Sequence, residues 1–250
     1  MRRLAILLLS AATLVACGQS SPAAHPAAPV VRPSPATPTA ATGSSGTAQP
    51  CPSGGVVTAT VGGGRISVSL VGGGAVTVVL SNQSDEDRCS WMPFANILVA
   101  NGYRVALWDY GGGDPRTELS AVTAALAASP HQGSGAIVLM GASKGAKTSL
   151  LTARADHPAH LVGVVSLSAE STLAPNIDVA QGSAGLATPT LLITAVDDDY
   201  GSAEALPTIS RGLSHAQVLR VPGSDHGTAL LDDSGVTPTV LAFLHAVSAG

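Results

Sequence analysis

The sequence predicts an α/β fold in which a mostly parallel β-sheet is covered by helices on both faces. From Val56 onward, short runs of β-branched and aliphatic residues alternate with segments of helical periodicity, which is typical of such folds. Several of these runs are apolar throughout, as expected of strands that are buried on both faces. Aromatic residues make up only 3% of the chain, so Ala, Val, Leu and Ile must build the core.

The predicted elements follow one another regularly after an initial hairpin. The runs Val56–Val61 and Ile66–Val71 flank a glycine triplet and predict two antiparallel strands. Further strands are predicted at 75–81, 103–110, 136–140, 161–168, 190–196 and 217–221, and helices at 91–101, 117–128, 144–155, 202–213 and 237–247. We therefore expect a sheet of about eight strands, with ligands bound beyond the strands' carboxyl ends.

The N-terminus has the pattern of an export signal. Arg2 and Arg3 precede an apolar stretch, residues 4–15, that is too short to span a bilayer comfortably. The run that ends at Cys17 resembles the lipobox of bacterial lipoproteins, which implies a lipid anchor on the Cys17 thiol. An ordinary secretory signal with an incidental Cys is the alternative. We expect an exported protein, lipid-anchored to the cell membrane and facing outside the cytoplasm.

Composition then divides the chain into a signal peptide (1–17), a tether (18–50) and a folded domain (51–250). The tether is dominated by Ala, Pro, Ser and Thr and cannot bury enough apolar surface to fold. The domain, of about 200 residues, suits a single core. Its two cysteines, Cys51 and Cys89, predict a disulfide in an exported protein, although two separate buried thiols remain an alternative.

Charge excludes one class of partner. The formal net charge is -4, charged residues are 11% of the chain, and no basic run occurs, so nucleic-acid binding lacks its electrostatic basis. We expect no cofactor and no metal, and a protein that is a monomer.

A serine motif lies between a predicted strand and a predicted helix. Gly141-Ala142-Ser143-Lys144-Gly145 matches G-x-S-x-G, in which flanking glycines allow a strained turn that exposes the serine at a helix N-terminus. The helix dipole there favours developing negative charge. The pattern alone is weak in a chain with 28 glycines, and its strand–turn–helix context is what makes Ser143 a candidate nucleophile.

Two further loops supply partners for such a serine. His226 is in a Gly-rich loop after the last predicted strand, whereas the other domain histidines lie in or beside predicted helices. Asp197, Asp198 and Asp199 follow the strand at 190–196, where a carboxylate could orient the imidazole. A solvated acidic turn and a cation site are the alternatives.

The order Ser, Asp, His, each after a strand, resembles the α/β-hydrolase superfamily over the whole domain. Other matching features are Trp91, the Gly-Tyr-x-Val run at 102–105 and the Asp-Tyr-Gly-Gly loop at 109–112. In relatives the acid stands three residues after a Gly or Ala, and aligning Ala195 to that position selects Asp198, with Asp197 and Asp199 left open. The resemblance implies an α/β-hydrolase fold and an oxyanion hole from the backbone of Lys144 and of Gln83 or Ser84.

The sequence departs from that family at two places. Asn82-Gln83 replaces the usual His-Gly, so a side-chain amide of either residue is an alternative oxyanion donor, and Asn82 could instead cap local backbone. Lys144 replaces an apolar residue or Gln; it could favour anionic substrates or be an ordinary surface lysine. The segment between Ser168 and Thr190 is too short for a large lid, so we expect an open site of modest size.

The function that this pattern favours is hydrolysis of small or medium carboxylic esters through an acyl-enzyme on Ser143. The predicted partners are a small-molecule ester and the membrane, through the lipid anchor. A peptidase, thioesterase or acyltransferase would use the same residues, and a catalytically inactive binding lipoprotein would keep the fold without the chemistry.

Overall fold

The chain was analysed as a computed structural model that describes residues 50–52, 56–129 and 135–249. The predicted signal peptide, Cys17 and nearly all of the predicted tether lie outside these residues. No helix in the described ranges is long and apolar enough to cross a membrane.

The described domain is built on an eight-stranded sheet in the order β1-β2-β4-β3-β5-β6-β9-β10. The strands are β1 (Val57–Val61), β2 (Gly64–Val71), β3 (Thr77–Ser81), β4 (Arg104–Trp108), β5 (Ile137–Ala142), β6 (Leu161–Leu167), β9 (Thr190–Ala195) and β10 (Ala216–Val221). Strands β1, β2 and β4 pair antiparallel, and all later pairs are parallel. A small separate sheet pairs β7 (Thr172–Leu173) with β8 (Ile177–Asp178).

Helices cover both faces of the large sheet. They are α1 (Met92–Ala100), α2 (Pro115–Ala127), α3 (Lys144–Asp156), α4 (Val179–Ser183), α5 (Ser202–Gly212) and α6 (Val236–Ser248), with 3₁₀ turns at Arg88–Trp91 and Gly227–Asp232. Helices α2 to α5 contribute to one apolar cluster, and α1 and α6 to the other. Alternate residues of β3 enter opposite clusters, since Val79 lies in the first and Val78 and Leu80 in the second.

Local sequence explains where helices begin. Asp114 caps α2, because its Oδ1 accepts the N–H groups of Arg116 and Thr117 at 3.1 and 2.9 Å. Pro115 follows at the first helical position, where its missing N–H costs nothing. Gly102, with φ of 84°, follows α1 and lets the chain turn back into β4.

The predicted α/β architecture is confirmed, with local corrections that include a β5 extending to Ala142 instead of ending at residue 140. The strand predicted at 103–110 ends at Trp108, and Asp109 beyond it accepts hydrogen bonds from Arg88 and Asn82. The helix predicted from residue 91 begins at Met92, after a 3₁₀ turn. The segment between Ser168 and Thr190, for which no helix or strand was predicted, contains β7, β8 and α4, the last capped by Asp178.

The disulfide between Cys51 and Cys89 is present, with Cα atoms 5.4 Å apart. It joins the start of the domain to the 3₁₀ turn before α1, across 38 residues of sequence. The same turn is held to the end of β4, because the Arg88 N–H donates to Asp109 Oδ1 at 2.7 Å. Closing such a loop removes entropy from the unfolded chain.

We therefore expect Cys51→Ser combined with Cys89→Ser to lower the free energy of unfolding by about 3–4 kcal/mol. Denaturant unfolding of the oxidised wild type and the double variant measures this difference. Reductant should destabilise the wild type and leave the double variant unchanged. Equal stability of the two proteins would contradict the predicted contribution.

Candidate active site

The loops that follow β5, β6, β9 and β10 meet at the carboxyl edge of the sheet, where parallel-sheet ligands bind. They bring together Ser143, Glu170, Asp198 and His226. Ser143, Asp198 and His226 are the three residues that the sequence predicts to lie here. Glu170 was not predicted.

Ser143 sits on a strained turn between β5 and α3, with φ of 48° and ψ of -111°. Its N–H donates to the Leu167 carbonyl at 2.8 Å, which anchors the turn to the end of β6. Neighbouring glycines make the turn sterically feasible: a Cβ on Gly145 would collide with the carbonyl of Ser81, and one on Gly141 with the backbone of Gly145. The strain at Ser143 is therefore supported by tight packing on both sides.

Asp198 is the carboxylate that contacts the histidine. Its Oδ2 lies 2.8 Å from His226 Nδ1 and also accepts from Ser202 Oγ at 2.6 Å, while its Oδ1 accepts the Tyr200 N–H at 2.8 Å. Burial would raise the pKa of Asp198, but the hydrogen bonds from Ser202 and His226 outweigh it and lower that pKa. Asp197 and Asp199 are exposed, so the geometry favours Asp198 among the three.

The loop that carries His226 is held at several points. The Gly227 N–H donates to Ser168 Oγ at 3.0 Å, and the Thr228 N–H to Gln83 Oε1 at 3.1 Å. The Tyr200 ring lies against the imidazole, with centroids 4.2 Å apart, although 70% of the Tyr200 residue is exposed. These contacts orient the imidazole, with Nδ1 toward Asp198 and Nε2 toward the centre of the site.

Glu170 occupies that centre. Ser143 Oγ donates to Glu170 Oε1 at 2.8 Å, and His226 Nε2 lies 3.3 Å from the same oxygen. The other oxygen, Oε2, forms an ion pair with Lys147 Nζ, on the second turn of α3. The hydroxyl proton of Ser143 thus points to a carboxylate, which separates it from the imidazole.

The charges of this cluster reinforce one another. Burial would raise the pKa of Glu170, but hydrogen bonds from His226 and Lys147 outweigh it and lower that pKa to about 2. Burial would lower the pKa of His226, but hydrogen bonds and charge attraction from Glu170 and Asp198 together outweigh it and raise that pKa above its ordinary value. Two carboxylates therefore stabilise the imidazolium form, in which Nε2 cannot accept a proton.

The predicted oxyanion donors lie around the same turn. Lys144 is the first residue of α3, so its N–H has no acceptor one turn earlier in the helix. Asn82 Nδ2 donates to the Trp108 carbonyl at 3.1 Å and to Asp109, and Gln83 Nε2 donates to Asp85 at 3.3 Å. Both side-chain amides are thus engaged in holding loops, and the backbone of Gln83 or Ser84 stays the predicted second donor.

A cavity of about 430 Å³ opens beside the turn. Its lining includes Ser84, Asp114, Lys144, Lys147, Leu173 and Pro175. The Lys144 ammonium lies 3.8 Å from the centroid of the Tyr110 ring, a cation–π contact. Ser143 itself is 9% exposed, and its hydroxyl contacts Glu170.

One rule could have pointed to Glu170. It lies just beyond β6, in one of the loops at the carboxyl ends of the strands, where ligands of a parallel sheet are expected to bind. No spacing motif distinguishes it from a solvated acidic residue, however, and its contacts come from two segments: the start of α3, with Ser143 and Lys147, and the loop that carries His226.

Comparisons with known proteins agree on the fold. An esterase from Pyrococcus furiosus superimposes with a TM-score of 0.67 at 17% identity, covering 76% of this chain and 88% of that chain. A dienelactone hydrolase from Anabaena variabilis superimposes with a TM-score of 0.62 at 20% identity, covering 76% of this chain and 94% of that chain. A thermophilic esterase from Thermogutta terrifontis superimposes with a TM-score of 0.62 at 17% identity, covering 77% of this chain and 98% of that chain. No protein-family profile and no curated protein sequence matches the chain.

These structures share the α/β-hydrolase fold, and this chain has that fold. Identities of 20% or less establish the architecture alone. The chemistry has to be argued from the residues.

The glycine beside the turn offers a direct test of its geometry. Gly145→Ala should destabilise the domain by about 1–3 kcal/mol or more, since its methyl group would overlap the Ser81 carbonyl. Gly73→Ala is the matched control, because a Cβ there meets nothing within 4 Å. Thermal unfolding of both variants measures the difference. Equal melting temperatures of the two variants would contradict the close approach of α3 to β3.

Proposed function

We propose that this protein is a serine hydrolase that cleaves small or medium carboxylic esters through an acyl-enzyme on Ser143. The observation that carries the proposal is the 2.8 Å contact between His226 Nδ1 and buried Asp198, with Nε2 lying 3.3 Å from the Glu170 oxygen that accepts the Ser143 hydroxyl. This is the orientation that a general base needs.

The reaction follows from these positions. Once Glu170 has moved aside, His226 Nε2 takes the Ser143 proton as Oγ attacks the ester carbon. The backbone N–H groups of Lys144 and of Gln83 or Ser84 stabilise the resulting oxyanion. The imidazolium returns the proton to the leaving alcohol, and a water activated by the same imidazole then releases the acid and regenerates Ser143. Asp198 holds the imidazole and stabilises its charged form throughout.

The location proposed for this activity is outside the cytoplasm, on a lipid anchor at Cys17. This part of the proposal rests on the N-terminal sequence, with its two arginines, short apolar stretch and small-residue run.

One observation favours a second candidate, a binding protein that has the fold without catalysis. Glu170 accepts the hydrogen bond of Ser143 and so occupies the position that a substrate would need. In a protein without hydrolase activity this arrangement could be permanent, whereas in an enzyme Glu170 must be displaceable.

Covalent labelling separates the two candidates. A small fluorophosphonate should modify the wild type at Ser143, since displacement of Glu170 restores a serine activated by His226. Ser143→Ala should abolish both labelling and hydrolysis in an ester panel, whereas Ser214→Ala, an exposed serine, should change neither. Peptide mass analysis identifies the labelled residue. A folded wild type that takes no label and hydrolyses no ester would rule out the proposed hydrolase.

The pH dependence tests the charge cluster. Because the general base must be neutral, kcat/KM should rise as pH increases through the raised pKa of His226. Glu170→Gln removes one of the two carboxylates that raise this pKa, so the midpoint of the rise should move to lower pH. Glu204→Gln, an exposed carboxylate on α5, should leave the midpoint unchanged. An unmoved midpoint in Glu170→Gln would mean that Glu170 does not contact the imidazole in the free enzyme.

A further inference from the structure

The side chain of Glu170 is a carboxylate ligand that the chain supplies to its own site. One oxygen takes the hydrogen bond of Ser143 and approaches His226, and the other pairs with Lys147. The Glu170 and Lys147 side chains are only 15% and 12% exposed. The site is thus built to hold a carboxylate, and Lys147 supplies its positive charge.

Catalysis on Ser143 requires this carboxylate to leave, and its departure removes the counter-ion of Lys147. A partly buried ammonium without a counter-ion is costly, because solvent replaces the lost partner poorly. A neutral ester that displaces Glu170 would leave that cost in place. An ester that also carries a carboxylate would restore an ion pair at Lys147 and remove it.

The site has room for such a substrate, and the separation of Ser143 from Lys147 sets the distance between its ester and its carboxylate. The Lys147 N–H donates to the Ser143 carbonyl at 3.1 Å, so the two residues are one helical turn apart. At 1.5 Å per residue, their Cα atoms differ in height by about 6 Å along the axis. The cavity of about 430 Å³ is lined by Lys147 and by Lys144, which adjoins the serine. Asp114, on the same cavity, already pairs with Arg116 at 3.3 Å.

We propose that Glu170 stands in for an acidic group of the substrate and that Lys147 selects esters carrying a carboxylate a few carbons from the ester bond. This inference rests on the proposed function. Half-esters of short dicarboxylic acids are the substrate class it names, and Glu170 is their internal competitor at Lys147.

Matched ester pairs test the proposal. Monoethyl succinate, glutarate and adipate are compared with ethyl butyrate, pentanoate and hexanoate, in which a methyl group replaces the carboxylate. Wild type should hydrolyse at least one half-ester with a kcat/KM about tenfold or more above that of its neutral counterpart, the size of effect expected for a charged hydrogen bond.

Two variants should change this preference in opposite directions. Lys147→Met should abolish or invert it, because it removes the cation and leaves Glu170 beside the serine. Glu170→Ala should keep the preference and raise kcat/KM for the half-ester, because it removes the internal competitor. Arg65→Met removes an exposed cation of β2 and should leave the preference at its wild-type value. Circular dichroism checks that each variant is folded.

The outcomes separate this inference from the proposed function. Hydrolysis of neutral esters that depends on Ser143, without preference for half-esters, overturns the selection by Lys147 and leaves the hydrolase intact. A preference that survives in folded Lys147→Met overturns it as well. If Lys147→Met does not fold, the test rests on the ratio of kcat/KM for the half-ester to kcat/KM for the neutral ester in the wild type and in Glu170→Ala. The selection is overturned if neither protein prefers the half-ester. Absence of labelling and of hydrolysis for every ester defeats the proposed function itself.

Discussion

The site depends on the direct backbone contact between the start of α3 and the end of β3. At Gly145 the helix passes so close to the Ser81 carbonyl that any side chain would collide with it. This contact confines the turn between β5 and α3, and the confinement keeps Ser143 at a positive φ that it would otherwise avoid. A serine in that conformation stands clear of the sheet edge, where loops from three other strands reach it.

The loops around the serine are joined by polar contacts that are local to the edge. Gln83, beyond β3, accepts from the Thr228 N–H, and Ser168, beyond β6, accepts from the Gly227 N–H. Gly227 has φ of 61° and lies where a side chain would overlap Gln83. Gln83 thus helps to position the histidine loop, which accounts structurally for its polar side chain.

The predictable features were those encoded in neighbouring residues. Strand and helix alternation depends on local periodicity, and the turn at Ser143 on two nearby glycines, so both could be inferred from sequence. His226 and the run of three aspartates at 197–199 followed from the rule that ligands bind beyond the ends of parallel strands, and the resemblance to relatives then selected Asp198. Glu170 had no such signal: its role arises from contacts with Ser143 and Lys147 at the start of α3 and with His226 in a separate loop. Tyr200 escaped prediction for the same reason, since its contact with His226 is purely tertiary.

The placement of Glu170 also bears on the state of the resting protein. A serine that donates to a carboxylate, beside an imidazole flanked by two carboxylates, is a stable arrangement of charges but an unreactive one. Under the proposed function, the departure of Glu170 would leave the imidazole oriented by Asp198 alone, with one stabilising anion fewer. In the proposed hydrolase, reactivity would thus be coupled to occupancy: a substrate carboxylate that takes over the ion pair with Lys147 would displace Glu170 from both Ser143 and His226. In that proposal, a ligand that binds Lys147 in place of Glu170 would also free the Ser143 hydroxyl from its hydrogen bond to Glu170.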